Sequence, residues 1–235
     1  LFVFHPAKIS QQTEFLIDQY LLNGGTVIAC LDAHSVSAQM LGGGNPMMGQ
    51  AGTPTTSTLP TLLPAWGVKF TSQQVLADPV HSTLLGGNRK GVAVLSLPQS
   101  AMPNKDSIIT KNLESITLYL PGAFEVTASA GVSASSLVRS SKFAGFVDST
   151  KASQLDPSIE NNVKADGTAY DLVTYLSGNF KTAFPDGKPK DELAEETSEG
   201  APKDTPKEES LKQAIKPGNV FLVADIDAFY DRFAY

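Results

Sequence analysis

LFVFHPAKISQQTEFLIDQYLLNGGTVIACLD, residues 1–32, is the stretch that decides the fold. Leu1-Phe2-Val3-Phe4 is a short apolar run of the kind that forms a buried strand, and His5-Pro6 ends it. A helix fits Gln11 to Asn23: Ser10 stands ready to N-cap it, Leu16, Ile17, Tyr20 and Leu21 recur at helical spacing, and Gly24-Gly25 closes it. Thr26 to Leu31 is a second buried-type strand, stopped by Asp32. Strand, helix and strand at this spacing predict a βαβ unit with parallel strands and a crossover helix.

Further along, Ala33 to Thr58 is rich in Gly, Ser, Thr and Met, which is long for a structureless loop and reads as a mobile or lid-like segment. Its Gly42-Gly43-Gly44 run lacks the GxxxxGK[ST] spacing that cradles phosphate. Leu59 to Trp66 reads as a short helix in which Pro64 must either sit in the first turn or kink it, and Gly67 stops it. Val68 to Leu76, Gly91 to Leu97, Ser115 to Leu120, Phe124 to Thr127 and the start of Tyr170 to Phe184 read as strands, and Ser136 to Val147 as an edge strand. Gly178 marks a bulge or turn, and Pro185-Asp186-Gly187 is turn chemistry. From about 188 to 216 the chain is charged, mixed in sign and poor in large apolar residues, the composition of a flexible excursion, with one helical turn at Ser210 to Ile215. Gly218 to Ala224 then returns as a buried strand, and Ile226 to Phe233 opens a helix. The expected fold is one α/β domain over residues 1–235: three layers on a mainly parallel sheet, flavodoxin-like or Rossmann-like, with long loop insertions.

A chain of 235 residues with 41% hydrophobic content has ample core for such a domain and the profile of an ordinary soluble protein. The net charge of −6 argues against nucleic acid as a partner, since that partner calls for a basic face. No apolar run approaches the roughly 18 residues that span a bilayer. The chain opens inside a strand with no leader of its own, so membrane segments are expected outside this piece.

Functional groups in parallel sheets collect beyond the carboxyl ends of the strands. His5 follows the first strand, Asp32 and His34 the second, and Asp225 and Asp227 the last. These five are the candidate binding residues. Their imidazoles and carboxylates are donors that suit zinc or another divalent metal, while an Asp after a strand equally suits a helix N-cap. No HExxH or comparable spacing marks a metal site, and no set of catalytic residues or cofactor motif is present. Cys30 lies inside an apolar strand without the glycine-flanked elbow a nucleophile needs, so it reads as a buried structural thiol. Gly131-Val132-Ser133 misses GxSxG because Ser135 stands where its second glycine belongs. His81 reads as a solvated loop residue and Trp66 as a core or interface aromatic.

Four pieces carry a resemblance: LFVFHPAKIS running into EFLIDQYLLNGGTVIACLD, LLPAWGVKF followed by VLADP, YLSGNFKTAFPDGKP, and VFLVADIDAFYD. Together they resemble the soluble domain of the GldG-type family, the gliding-motility and ABC-transport auxiliary proteins, related to a domain of intraflagellar-transport proteins. The resemblance implies an extracytoplasmic (periplasmic), non-enzymatic domain of a membrane-anchored auxiliary subunit of an ABC-type transport system. Its work would be binding, to the transporter permease, another envelope protein or a solute. Two other readings are a metal-dependent hydrolase using the strand-end cluster, and a protein-binding scaffold of the intraflagellar-transport type.

Overall fold

The structure, a computed structural model, describes residues 1–42, 52–86, 89–104, 107–190 and 210–230. The opening unit forms as its sequence requires. β1 (Phe2–Phe4) and β2 (Thr26–Cys30) are parallel neighbours joined through α1 (Gln11–Leu22). The Ser10 side chain accepts from the Thr13 amide at 3.2 Å and caps α1. β1 is nevertheless an edge strand, with Phe2 and Phe4 exposed.

Beyond that unit the architecture departs from a mainly parallel, three-layer flavodoxin-like or Rossmann-like fold. The later strands are β3 (Val68–Phe70), β4 (Gln74–Ala77), β5 (Ser82–Leu85), β6 (Arg89–Pro98), β7 (Ser115–Tyr119), β8 (Phe124–Val126), β9 (Val132–Arg139), β10 (Gly145–Asp148), β11 (Asp171–Gly178) and β12 (Gly218–Val223). Seven of the strands form one sheet in the order β1-β2-β12-β11-β8-β3, with β9 also paired to β11. β10 pairs with β4, and β5-β6-β7 form a third sheet. Only β1–β2 and β2–β12 are parallel; every other pairing among the described residues is antiparallel. The reason lies in the connections. Parallel neighbours need a crossover of a dozen or more residues, usually helical, and α1 is the one helix of that length among the described residues. The others, α2 (Val36–Leu41), α3 (Leu62–Ala65), α4 (Ser149–Ser153) and α5 (Ile159–Asn162), span two turns or less.

One face of the large sheet builds the main core. Val27 and Ala29 of β2, Val220 and Leu222 of β12, and Ile17, Leu21 and Leu22 of α1 are all buried there. Strand alternation sends Phe221 and its partner Tyr175 to the opposite face, where their rings lie 4.6 Å apart and stay partly exposed. α1 is rotated from the expected stripe: Leu16 and Tyr20 are exposed, while Glu14 and Asp18 are buried beside Ile17 and Leu21. Both carboxylates cap backbone from elsewhere. Glu14 accepts from the Thr61 and Leu62 amides at 2.9 and 3.1 Å, at the start of α3, and Asp18 accepts from the Thr182 hydroxyl and the Ala183 amide at 2.7 and 3.0 Å. A smaller second core, including Val75, Val92, Leu120 and Val147, lies among the smaller sheets and short helices.

Val68 to Leu76 is two strands in two sheets, not one, because the chain turns at Thr71–Gln73. Ser136 to Val147 likewise divides between β9 and β10. Gly67 does stop α3: at φ +75° it brings its carbonyl to the Thr127 amide at 2.8 Å, and a Cβ there would lie 2.0 Å from the Thr127 oxygen. Gly178 ends β11 at φ +146° against Gly131. Trp66 is fully buried, edge-on to Phe180.

Two loop expectations are corrected in part. Ala33 to Thr58 contains α2, capped by Ser35, and its Thr55 carbonyl accepts from the Ser35 amide at 2.7 Å; residues 43–51 lie outside the described ones. Of the charged tract, residues 191–209 lie outside the described ones, but the chain is back in the fold by Ser210 rather than Gly218. Leu211 exchanges hydrogen bonds with the Gln19 side chain at 2.7 and 3.1 Å, and Gln213 bridges Lys181. No helical turn forms at 210–215, because these residues bond sideways to α1 and to 180–182. Of the helix expected over Ile226 to Phe233, the described part is one 3₁₀ turn, Asp227–Phe229, and residues 231–235 lie outside the described ones.

Candidate functional site

The carboxyl ends of β1, β2 and β12 meet, and they bring His5, Asp32, Asp225 and Asp227 into one hydrogen-bonded cluster. β1 and β2 end side by side because they are parallel, and β12 ends beside β2 for the same reason. His5 leaves β1 at φ +46°, a left-handed conformation unusual for a side chain of its size. That turn aims its ring at two acceptors: Nδ1 lies 2.6 Å from Asp32 Oδ2 and Nε2 lies 2.8 Å from the Pro54 carbonyl. With both nitrogens on acceptors, the ring is suited to the doubly protonated form.

Every oxygen of the three carboxylates accepts a hydrogen bond from the chain itself. Asp32 Oδ1 accepts from the Ile226 amide at 2.9 Å, and Oδ2 accepts from the Ser57 hydroxyl at 3.2 Å as well as from His5. Asp225 accepts from the Tyr119 amide at 2.7 Å and the Asp227 amide at 2.8 Å, one on each oxygen. Asp227 takes the Val36 amide at 2.5 Å and the Ser37 amide and Ser35 hydroxyl at 2.9 and 3.2 Å, so it caps α2 from across the sheet. All three are essentially inaccessible to solvent. His34 is not in the cluster; its ring reaches Gln39 at 3.3 Å. Leu120, the corner between β7 and β8, is a second left-handed residue beside the cluster, at φ +51°.

Burial drives the electrostatics here. It raises Asp32, against the opposing bonds from His5 and Ile226, and raises Asp225 well above the usual carboxylate range, with the charges of Asp227 and Asp32 adding. The bond to Asp32 raises His5, helped by the Pro54 carbonyl and the charges of Asp32 and Asp227 and opposed by burial. All three shifts have the same sign for stability. His5, raised from 6.5, contributes stability that is complete below its unfolded pKa and is lost as pH rises through its folded one. The raised acids, which start from 3.8, favour the fold while protonated and lose that contribution as pH rises through their folded pKa values. The melting temperature is therefore expected to be higher at pH 5.5 than at pH 8.5, and His5→Gln should flatten the slope. A melting temperature that climbs over this interval would contradict the assignment.

Chemically, the cluster is a joint. An Asp–His pair acts as a general base only if the far nitrogen faces a nucleophile or substrate, and here Nε2 is held by the Pro54 carbonyl. A metal needs several free carboxylate or imidazole lone pairs converging on one point, and these point at amides and hydroxyls. Among the described residues no group of three or more His, Cys, Asp or Glu is arranged to hold a metal ion. Cys30 is fully buried, and burial together with the charges of Asp32 and Asp225 pushes its thiol up to about 12. It is expected to resist a thiol reagent in the native protein and to react fully once unfolded; rapid native labelling would contradict this.

A second histidine–carboxylate pair lies in the smaller subregion. His81 Nδ1 meets Asp78 at 2.9 Å, and Ser141 donates to the same carboxylate from its hydroxyl and its amide, each at 2.7 Å. Burial raises Asp78, but the bonds from His81, Ser141 and Val80 outweigh it and hold the carboxyl down to about 2. The acid sits between the other two groups, so serine and histidine do not face each other as a nucleophile and its base would. His81 is paired, not simply solvated.

The sequence reading missed Ser35, Ser57, the Pro54 carbonyl and the Tyr119 amide. Ser35 carried a local signal, a serine just before Val36-Ser37-Ala38-Gln39-Met40, as an N-cap requires. The other three reach the cluster only through the tertiary fold.

Fold and cluster together define a mixed-sheet domain whose buried acids fasten its own backbone. Compared with known families, the chain matches the model described as "ABC-type uncharacterized transport system" over residues 1–235. It belongs to that family of ABC-transport auxiliary proteins. Comparison with curated proteins and with solved structures gave no match.

Proposed function

We propose that this chain is a non-enzymatic, extracytoplasmic domain of a membrane-anchored auxiliary subunit of an ABC-type transport system, of the GldG type, that works by binding the transporter permease or another envelope protein. The observation that supports the non-enzymatic part is the structural use of the cluster: every carboxylate oxygen of Asp32, Asp225 and Asp227 accepts from the chain's own donors. The family match supports the association with a transporter. Among the described residues no helix is long and apolar enough to cross a membrane.

The test is affinity purification of the full-length protein from detergent-solubilised membranes, together with reporter fusions that mark each side of the membrane. The permease and its ATPase are expected to co-purify, and a fusion at the domain is expected to report the outer side of the cytoplasmic membrane. A full-length protein that co-purifies with no transporter component, or that reports the cytoplasm, would overturn the proposal.

A further inference from the structure

The face of the large sheet turned away from α1 carries a band of aromatic rings. Register places Phe2, Ile28, Phe221, Tyr175 and Ser135 in one row across β1, β2, β12, β11 and β9. On the side of this row toward His5 stand Phe4 and Val173, and on the other side Thr26, Asn219 and Ser177. Each of these residues reaches solvent, Phe2 at 66%, whereas the alternate positions that face α1, such as Val27, Ala29, Val220 and Leu222, are buried. Phe4 stacks on Phe229 at 6.2 Å, and Phe229 is 58% exposed, so the band runs on past the strand ends. The Tyr175 hydroxyl donates to Asn219 Oδ1 at 2.6 Å, which pairs two polar groups of the face with each other. No Asp, Glu, Lys or Arg stands in these rows. The solvent side of an antiparallel sheet ordinarily turns polar residues outward; here the outward residues are aromatic, aliphatic or neutral. Beyond Val173, at the rim, Asp171 and Arg139 stand opposite each other and pair at 2.7 Å.

We propose that this face docks a second copy of the chain, sheet on sheet, in a twofold-symmetric dimer. In such an interface one patch meets itself, so the patch must be its own complement. A charged patch would repel its copy, the more so in a chain of net charge −6; this face brings no charge to the contact. Charge depletion with aromatic enrichment is the composition of an interface core, and the Asp171–Arg139 pair supplies a polar rim. The area agrees. Taking about 200 Å² for a whole aromatic side chain, Phe2, Phe4 and Phe229 alone expose roughly 350 Å². With the other residues of the rows the face offers about 600–700 Å² per copy, so two copies bury roughly 1,200–1,400 Å², the lower end of a specific interface. Facing sheets pack about 10 Å apart with their strands inclined by about 30°, a spacing that lets the Phe221 and Tyr175 rings of one copy interdigitate with those of the other. A lipid surface fits less well, because anionic headgroups are held by Lys and Arg, and these rows contain neither.

Sedimentation equilibrium of the chain over about 5–500 µM is expected to show a monomer–dimer equilibrium with a dissociation constant of about 10–100 µM, as suits an interface of this size. Phe2→Asp removes an exposed ring and sets a carboxylate against the copy. Ser135→Lys adds a charge at the other end of the row and removes no apolar contact. Each should weaken the dimer at least about 10-fold, and dilute samples of both should melt like the parent, since both positions are exposed. Leu16→Asp takes an exposed apolar side chain from α1, across the sheet, and should leave the equilibrium unchanged. The proposal is overturned if the chain stays monomeric throughout, if the dimer survives in both Phe2→Asp and Ser135→Lys, or if Leu16→Asp weakens it as much. A monomeric chain that binds phosphatidylcholine vesicles and loses that binding in Phe2→Asp would give the face to a lipid surface and also overturn it. No transporter component is present in this measurement, so a monomeric chain would leave the functional reading standing, and failed co-purification would leave the dimer standing.

Discussion

Leu222→Asp is expected to abolish the cooperative melting transition. Leu222 is fully buried in β12, with Ala29 of β2 on one side and Thr174 of β11 on the other. The substitution removes about 1.5–3 kcal/mol of apolar burial and places a carboxylate in the core with no donor to receive it. Against a typical total of about 5–15 kcal/mol for a domain, the two effects together are enough to unfold it. Phe4→Ser is the matching control, because Phe4 is 52% exposed on the edge strand, its ring tilted against Phe2 and stacked on Phe229. It should cost about 1 kcal/mol. Circular dichroism melts of the two variants decide the matter, and a Leu222→Asp protein melting like the parent would show that β12 is not the centre of the sheet.

Asp32→Ala carries the second large effect. It strands the Ile226 amide and the Ser57 hydroxyl and frees His5, at an expected cost of about 3 kcal/mol, on the order of leaving two buried donors unmade. Asp32→Asn keeps the shape and the acceptor for Ile226, and should lose about half as much. Urea denaturation reads both through the transition midpoint. Equal midpoints for Asp32→Ala and the parent would mean that the cluster does not fasten the strand ends.

What could be read from the chain beforehand follows a physical division. Ser10 capping α1, Gly67 ending α3 and Pro185-Asp186-Gly187 turning are decided within a few residues, and the structure shows all three. The parallel β1-α1-β2 unit was legible for the same reason. The sheet's antiparallel remainder was not, because nothing local in Asp171–Gly178 says that it will lie between β12 and β9. The stripe on α1 misled at Leu16 and Tyr20, which are exposed, because distant amides claim the carboxylates of Glu14 and Asp18 and turn that face inward. At the strand ends, the rule that polar groups gather there brought four of five residues to one place. His34 fell outside because the chain turns into α2 immediately after it.

The central position of β12 also bears on how the chain is made. β12 lies between β2 and β11, yet it is the last of the described strands to leave the ribosome, and Asn219 trails its neighbour Thr26 by 193 positions. At about 5–20 residues per second, synthesis leaves that gap open for roughly 10–40 s. During the interval β2, paired to β1 on one side, leaves its other edge open at Val27 and Ala29. A nascent chain in this condition is a natural client for a holdase, and a truncation anywhere before Gly218 leaves a sheet missing its middle rather than its margin.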